Sequence, residues 1–364
     1  MDVAKKKVLF LLPSMRGGGS ERVISIILNY LDKTKFDPVL VLLQKEGIYL
    51  NDLPQDLKII DLDVSKARYA VFKIFKIIKT IEPDIVMSTL GHINMLLSLL
   101  KPLLPKYTKY IARESSIVSI RNKMSKYSIV FDFLYKSFFK NFDLIIAQSK
   151  FMKKDLIDNY MINKNKINVI YNPLDIKKIQ KLSEEKYISF NASKFNILIV
   201  GRLSVVKNHK AILDVMQLLG EEYHLTILGD GVLKAELMKY ITILKIRNKV
   251  SFINFDKNPY KYMKRADIVV SMSFYEGFPN VLIEATACQT PIVAYNGQGG
   301  TSEIIEDGVN GYLVPFGEKE IFCKTIEKIK LEKLDKEKIK NKALKYEVSK
   351  IIQQYENSFS DILK

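Results

Sequence analysis

The sequence predicts an α/β protein built from two doubly wound parallel sheets. Short apolar, β-branched runs alternate with helical patterns from end to end, as parallel strands covered on both faces require. The alternation restarts after a polar stretch near the middle of the chain. A length of 364 residues also suits two domains of roughly 100–200 residues each. With 48% hydrophobic residues the chain can bury a large core, which excludes a disordered or collagen-like protein.

The first series of strands is read at Val8–Leu12, Val39–Leu43, Lys58–Asp61, Ile85–Met87, Tyr110–Ala112, Leu144–Ala147 and Ile167–Ile170. Helical patterns lie between them at Ser20–Leu31, Tyr69–Ile81, Ile93–Leu100 and Lys150–Tyr160. The second series runs through Ile197–Val200, Leu225–Leu228, Val250–Ile253, Ile268–Ser271, Ile292–Ala294 and Gly311–Val314. Asn172–Ser193 contains Pro173 and then a polar Lys/Glu/Ser segment, so the junction is placed there. The expected organisation is a first domain over 1–175, a linker over 176–194 and a second domain over 195–345. A closing helix over 346–364 is free to pack back on the first domain. No apolar run approaches the ~18–20 residues of a membrane span. Val8–Leu12, after Lys5–Lys7, is too short for a signal peptide and lacks a small-residue cleavage site. Cys288 and Cys323 alone make no disulfide framework, so a reducing cytoplasm is expected.

The charge is lopsided. Lys and Arg number 57 against 40 Asp and Glu, for a net +17. Residues 1–180 hold 30 of the cations and 17 of the anions, a net of +13, and residues 181–364 carry only +4. Eight Arg against 49 Lys argues for diffuse attraction rather than reading of base edges. Between Arg121 and Lys154 eight cations, including Lys123, Lys126, Lys136, Lys140, Lys150 and Lys153, meet only Asp132 and Asp143. Tyr127, Phe131, Phe133, Tyr135, Phe138, Phe139 and Phe142 are interleaved among them. A basic, aromatic amphipathic helix suits an anionic membrane surface. The same spacing also suits a helix whose Phe131, Leu134, Tyr135 and Phe138 face the core while its lysines are solvated.

Open parallel sheets bind ligands beyond the carboxyl ends of their strands, so the strand-to-helix turns are the places to look for chemistry. After Val8–Leu12 comes Arg16-Gly17-Gly18-Gly19-Ser20-Glu21-Arg22, where glycines allow close backbone approach and a helix start offers N–H groups to an anion. A tight turn with Ser20 as helix cap explains it equally well. After Ile197–Val200, Gly201 is followed by Arg202 and Lys207, two cations suited to a diphosphate leaving group. After Ile268–Ser271 comes Ser273-Phe274-Tyr275-Glu276-Gly277-Phe278-Pro279-Asn280-Val281-Leu282-Ile283-Glu284. Pro279 and Asn280 start a helix, and Glu276 and Glu284 form a carboxylate pair eight residues apart. Such a pair serves as acid and base in a glycosidase, or as two acceptors for sugar hydroxyls; a phosphate-binding helix end beside it favours the latter.

Taken in order, these loops resemble the retaining glycosyltransferases of family 4, whose GT-B fold has two Rossmann-like domains facing a central cleft. Gly18-Gly19-Ser20-Glu21-Arg22 is similar to the family's Gly-Gly-Ala-Glu-Arg opening, and Lys166–Asp175 to the segment ending its first domain. Val200-Gly201-Arg202-Leu203 through Lys207-Asn208 resembles its phosphate clamp, Gly229-Asp230-Gly231 its next turn, and Glu276 to Glu284 its Glu-x7-Glu motif. The resemblance covers nearly the whole chain. It implies a transferase that moves a hexose or N-acetylhexosamine from a nucleotide sugar, expected to be UDP-linked, with retention of configuration. The leaving phosphate itself would take the acceptor proton.

By the same resemblance Arg202 and Lys207 would hold the diphosphate and Glu276 the sugar hydroxyls, so these three carry the chemistry. The N–H groups of Gly277, Phe278, Asn280 and Val281, with Pro279 between, would lie nearby, as would Gly201 and Gly229. Glu284 would accept from the ribose, and Gly18 and Gly19 would face the donor or acceptor across the cleft. No cofactor or metal is expected. Asp61-Leu62-Asp63 imitates the metal motif of the other glycosyltransferase fold, and nothing else supports that fold. Many relatives carry a His after the fifth strand, where this chain reads Arg113-Glu114-Ser115-Ser116; the acceptor-side candidates are therefore Glu114 and His92. The expected partners are a nucleotide sugar, a lipid-linked or saccharide acceptor and an anionic membrane through Arg121–Lys154, with no nucleic acid. The expected location is peripheral, on the cytoplasmic face of the plasma membrane. The rival readings are a sugar-nucleotide epimerase on the same fold and a basic nucleic-acid-binding scaffold without activity.

Overall fold

The computed structural model describes residues 4–186 and 190–364. The first three residues, and residues 187–189 of the expected linker, lie outside the described residues. The chain divides into two compact units, one of 1–173 with 348–364 and one of 174–347.

In the first unit seven strands form one parallel sheet: β1 (Lys6–Leu12), β2 (Phe36–Leu42), β3 (Lys58–Asp61), β4 (Ile85–Thr89), β5 (Lys109–Arg113), β6 (Leu144–Ala147) and β7 (Ile167–Val169). Their order is β3-β2-β1-β4-β5-β6-β7. The central runs are continuous and apolar because a parallel sheet is covered on both faces; Val8 to Leu12 are all buried. The covering helices are α1 (Gly19–Tyr30), α2 (Val71–Ile81), α3 (Gly91–Leu100), α4 (Val118–Lys123), α5 (Ser128–Phe138) and α6 (Lys150–Tyr160). In α1 the buried set Val23, Ile24, Ile27 and Leu28 makes one apolar stripe against the sheet. Gly18, with extended backbone, precedes α1 as its cap, and Ser20 lies inside the helix, so the expected Ser20 cap is not formed.

The second unit opens with α7 (Ile176–Ser183) and continues through β8 (Phe195–Val200), α8 (His209–Leu218), β9 (Tyr223–Leu228), α9 (Lys234–Ile243), β10 (Val250–Ile253), α10 (Tyr260–Met263) and β11 (Ile268–Ser271). It then runs through β12 (Tyr275–Glu276), α11 (Asn280–Ala287), β13 (Ile292–Asn296), β14 (Gln298–Gly299), β15 (Gly311–Pro315), α12 (Lys319–Leu331) and α13 (Lys336–Ala343). Six strands form a parallel sheet in the order β10-β9-β8-β11-β13-β15, and β12 pairs separately with β14.

One boundary differs from the sequence reading. Residues 176–183, expected within a linker, are helical. Asp175 caps α7 by accepting from the Lys178 N–H at 2.9 Å, and Ile176 and Ile179 are buried, so the segment belongs to the second unit. The closing helix α14 (Val348–Ile362) belongs to the first unit. Its Ile351, Ile352, Tyr355 and Phe359 join the core of β1, β2 and α1, with the Phe359 ring against Phe36 at 5.7 Å and Phe10 at 6.5 Å. Burial of such side chains contributes about 1.5–3 kcal/mol each.

Arg121–Lys154 is not one helix. It passes from the end of α4 through α5, then the buried strand β6, and into α6. Tyr135, Phe139 and Phe142 are buried and stack on one another and on Tyr160. Met124, Tyr127, Ile129, Val130 and Phe133 are exposed, Ile129 by 83% and Phe133 by 64%. No helix among the described residues is long and apolar enough to cross a membrane.

Candidate active site

In each sheet one point reverses the strand order, between β1 and β4 in the first unit and between β8 and β11 in the second. The crevice beyond the carboxyl ends of two such strands is where an open α/β sheet takes its ligand.

In the second unit the β8–α8 turn and the β11–α11 loop meet at that point. Gly201 follows β8 with φ 155°, and a Cβ there would come within 3.3 Å of the Lys207 side chain. Gly229, at the end of β9, packs on the Gly201 carbonyl; a Cβ would fall 2.0 Å from that oxygen, so only glycine fits. Backbone and side-chain hydrogen bonds clamp the two loops together. The Phe274 N–H donates to the Val206 carbonyl at 2.9 Å, and Asn208 Nδ2 donates to the Met272 carbonyl at 3.2 Å. Asn208 itself is left-handed, φ 50°, and turns the chain into α8. Glu276 is held in place by the short β12–β14 ladder, opposite Gly299.

The clamp joins Lys207 to Glu276 directly. Lys207 Nζ forms an ion pair with Glu276 Oε1, and Ser273 Oγ donates to the same oxygen at 2.8 Å. Both charged side chains are largely buried, so the pair is less screened than a surface ion pair. Pro279 and Val281, at the start of α11, line the same pocket as Lys207 and Glu276. The start of α11 points the positive end of its helix dipole at the same place. Phe278 is buried against Tyr346, ring centroids 5.5 Å apart, which anchors the loop before Pro279. Arg202 is exposed, with no hydrogen bond or ion pair among the described residues. Glu284 is buried in the second turn of α11.

In the first unit the turn after β1 is pinned by Met15, whose N–H donates to the Glu46 carbonyl at 2.9 Å. Gly18 is half-buried and Gly19 exposed at the start of α1. At the end of β4, Gly91 opens α3 and His92 is exposed beside it. A Cβ on Gly91 would overlap the Arg121 guanidinium, at 1.7 Å from Nη1. Glu114 is fully buried. Its carboxylate accepts from Asn94 Nδ2 at 2.9 Å, Tyr135 OH at 3.0 Å and Arg121 Nη1 at 3.4 Å. The Glu114 side chain thus has no exposed surface of its own, while the Arg121 side chain paired with it is 30% exposed. Asp61-Leu62-Asp63 is a turn, with the Asp63 N–H donating to Asp61 Oδ1 at 2.9 Å.

The comparison with known proteins gives this geometry a family. Residues 17–178 match the family model Glycosyltransferase Family 4, and residues 180–346 match Glycosyl transferases group 1. The N-acetylgalactosamine-N,N'-diacetylbacillosaminyl-diphospho-undecaprenol 4-alpha-N-acetylgalactosaminyltransferase of Campylobacter jejuni is 32% identical over 363 residues, 95% of this chain and 97% of its own. The chain is a family 4 glycosyltransferase. The amylovoran biosynthesis glycosyltransferase AmsD of Erwinia amylovora is 27% identical over 87% of this chain and 88% of its own. Among solved structures, Anabaena HepE in complex with UDP superposes with a TM-score of 0.77 over 98% of this chain and 100% of that one, at 23% identity. The apo form of the lipopolysaccharide outer core galactosyltransferase WaaB gives 0.76 over 98% and 99%, at 19% identity. These likenesses establish the GT-B fold.

In this glycosyltransferase the second-unit residues read from the sequence converge: Gly201, Lys207, Gly229, Glu276 and the Gly277–Val281 loop lie at one switch point, and the exposed Arg202 directly follows Gly201. Gly18, Gly19 and His92 lie at the other. Two residues went unread. Ser273 is the third residue before Glu276, and His209 directly follows Lys207-Asn208. Their proximity in sequence was visible; the inward direction of their side chains was not. Both cysteines are free and buried, and burial raises both thiols, which disfavours the reactive thiolate form.

Proposed function

We propose that this glycosyltransferase moves a hexose or N-acetylhexosamine from a UDP-linked donor to a lipid-linked saccharide acceptor, with retention of configuration. The observation that carries the reading is the Lys207–Glu276 pair at the β8–β11 switch point, with an exposed Arg202 in the same β8–α8 turn as Lys207. A diphosphate leaving group gains negative charge as the bond to the sugar breaks, and preorganised cations and helix N–H groups act on that charge. Arg202, Lys207 and the start of α11 supply them in place of a divalent metal. Glu276, held by Ser273, accepts from a sugar hydroxyl. Glu284 accepts from the ribose.

The sugar C1–phosphate oxygen bond breaks while the acceptor hydroxyl oxygen bonds C1 from the same face. The acceptor proton passes to the leaving phosphate, so no enzyme nucleophile is required. The α linkage in the name of the 32% identical relative, the configuration of common UDP-hexose donors, supports retention.

That relative's name also specifies a diphospho-undecaprenol-linked substrate, which supports a lipid-borne acceptor here. The +13 half and the exposed apolar residues of α5, with exposed Lys123, Lys126, Lys136 and Lys140 close to them in sequence, support peripheral docking on an anionic bilayer, on its cytoplasmic face. The test is UDP release from a panel of UDP-sugars with membrane extract as acceptor, with and without EDTA. Wild type should release UDP in both conditions and Glu276→Ala should not. Equal, slow release by the two proteins would sink the catalytic assignment.

A further inference from the structure

His209 is the first residue of α8, two positions after Lys207. Its ring is 2% exposed, and neither Nδ1 nor Nε2 has a hydrogen-bond partner among the described residues. Buried side-chain nitrogens are nearly always partnered, and a ring left without partners destabilises a fold. An apolar residue would fill the same space without that penalty.

His209 lines a small cavity of about 10 Å³ together with Lys207, Ser271, Ser273 and Glu276, the rest of the lining being apolar, with Ile199, Val270 and Leu282 among it. That is room for about one water molecule, in a setting polar enough to hold it. Ser271 Oγ and Ser273 Oγ are 3.4 Å apart, and Ser273 donates onward to Glu276. A chain of hydroxyls thus runs from the floor of the cavity to the carboxylate that pairs with Lys207. Burial first, and the Lys207 charge second, push the His209 imidazole down to about 4, so it is neutral near pH 7. A neutral imidazole has one donor and one acceptor nitrogen, enough to orient a single water.

We propose that His209 is a positioning residue of the donor site: one internal water in this cavity joins its ring to the Ser271–Ser273 hydroxyl pair, and so sets the orientation of Glu276 and Lys207. The inference rests on the assignment of Glu276 and Lys207 to the donor site.

The test compares full-length His209→Leu, His209→Gln and Ser273→Ala by thermal melting and by the UDP-release assay, with Glu276→Ala run in parallel. A merely structural His209 predicts that His209→Leu raises Tm and leaves turnover unchanged. The positioning role predicts that His209→Leu melts no lower than wild type yet loses about tenfold in kcat/KM. His209→Gln, which keeps a donor and an acceptor, should regain most of that loss. His209→Leu should also cost little further in the Ser273→Ala background, because the two act along one path. A crystal structure should show a water within hydrogen-bond distance of the ring and of Ser271 or Ser273. Wild-type kinetics for His209→Leu, a Gln variant no better than Leu, or a dry cavity would overturn the proposal. If Glu276→Ala also keeps full activity, the donor-site reading itself has failed; if only the His209 variants are silent, this inference alone has.

Discussion

Arg113 and Tyr355 are 242 residues apart in the chain and share a 2.9 Å hydrogen bond, Arg113 Nε to the Tyr355 hydroxyl, in the interior of the first unit. Arg113 is fully buried and donates a second bond to Asn172 Oδ1 at 2.6 Å. Tyr355→Phe leaves a buried charged donor without its acceptor, which should cost about 1–3 kcal/mol. Phe359→Ala, which empties a site between Phe10 and Phe36, should cost about 3–5 kcal/mol. Urea denaturation measures both, and losses under ~0.5 kcal/mol would contradict the packing of α14.

Glu276→Gln removes the charge that pairs with Lys207 while keeping the shape of the side chain. Removal of one preorganised group at a charge-developing site costs on the order of 10²–10³ in rate. Ser273→Ala deletes one bond to a carboxylate and should cost about tenfold. Steady-state UDP release ranks them; a Ser273→Ala loss equal to that of Glu276→Gln would mean that Ser273 does more than hold the carboxylate.

Acid should destabilise the second unit through His209. Its imidazole titrates at about 4 in the folded protein, against 6.5 ordinarily. Well above pH 6.5 the ring is neutral whether the chain is folded or not. As pH falls from 6.5 to 4 the unfolded chain binds a proton that the folded one does not, so stability drops by about 3 kcal/mol over that window. His209→Leu lacks this group, and its unfolding midpoint should fall less between pH 7.5 and 4.5. Parallel acid profiles for the two proteins would contradict the burial of the ring.

The α5 patch predicts flotation with anionic liposomes at low salt and weaker binding at high salt. Ile129→Glu and Phe133→Glu should reduce it by removing apolar insertion. Lys123→Ala, Lys126→Ala and Lys136→Ala should each weaken it by about 1 kcal/mol. Failure of wild type to float at any salt concentration would rule out the docking surface.

The strands were legible because those of a buried parallel sheet are runs of Val, Ile and Leu bounded by turns, as in Phe195–Val200 and Ile268–Ser271. The loop motifs were legible because the glycines and charges of each site lie within a dozen residues of one another. What escaped depended on partners distant in sequence. Tyr135 reads as either membrane-facing or core-facing until Tyr160 and Glu114 are placed beside it. Glu114 reads as an exposed loop carboxylate until Asn94 and Arg121 enclose it. The α7 helix had a local signal, the Asp175 cap before Ile176 and Ile179, masked by the polar residues around it.

The return of α14 to the first unit sets the order in which the chain matures on the ribosome. The second unit, residues 174–347, is contiguous and fully synthesised before Val348 is added. The first unit, although its sheet is translated first, lacks Tyr355 and Phe359 until α14 emerges. The amino-terminal half of this glycosyltransferase is thus the first to be made and the last to be completed. A nascent chain stalled before Val348 exposes the apolar face of β1, β2 and α1 that α14 covers, the kind of surface chaperones bind.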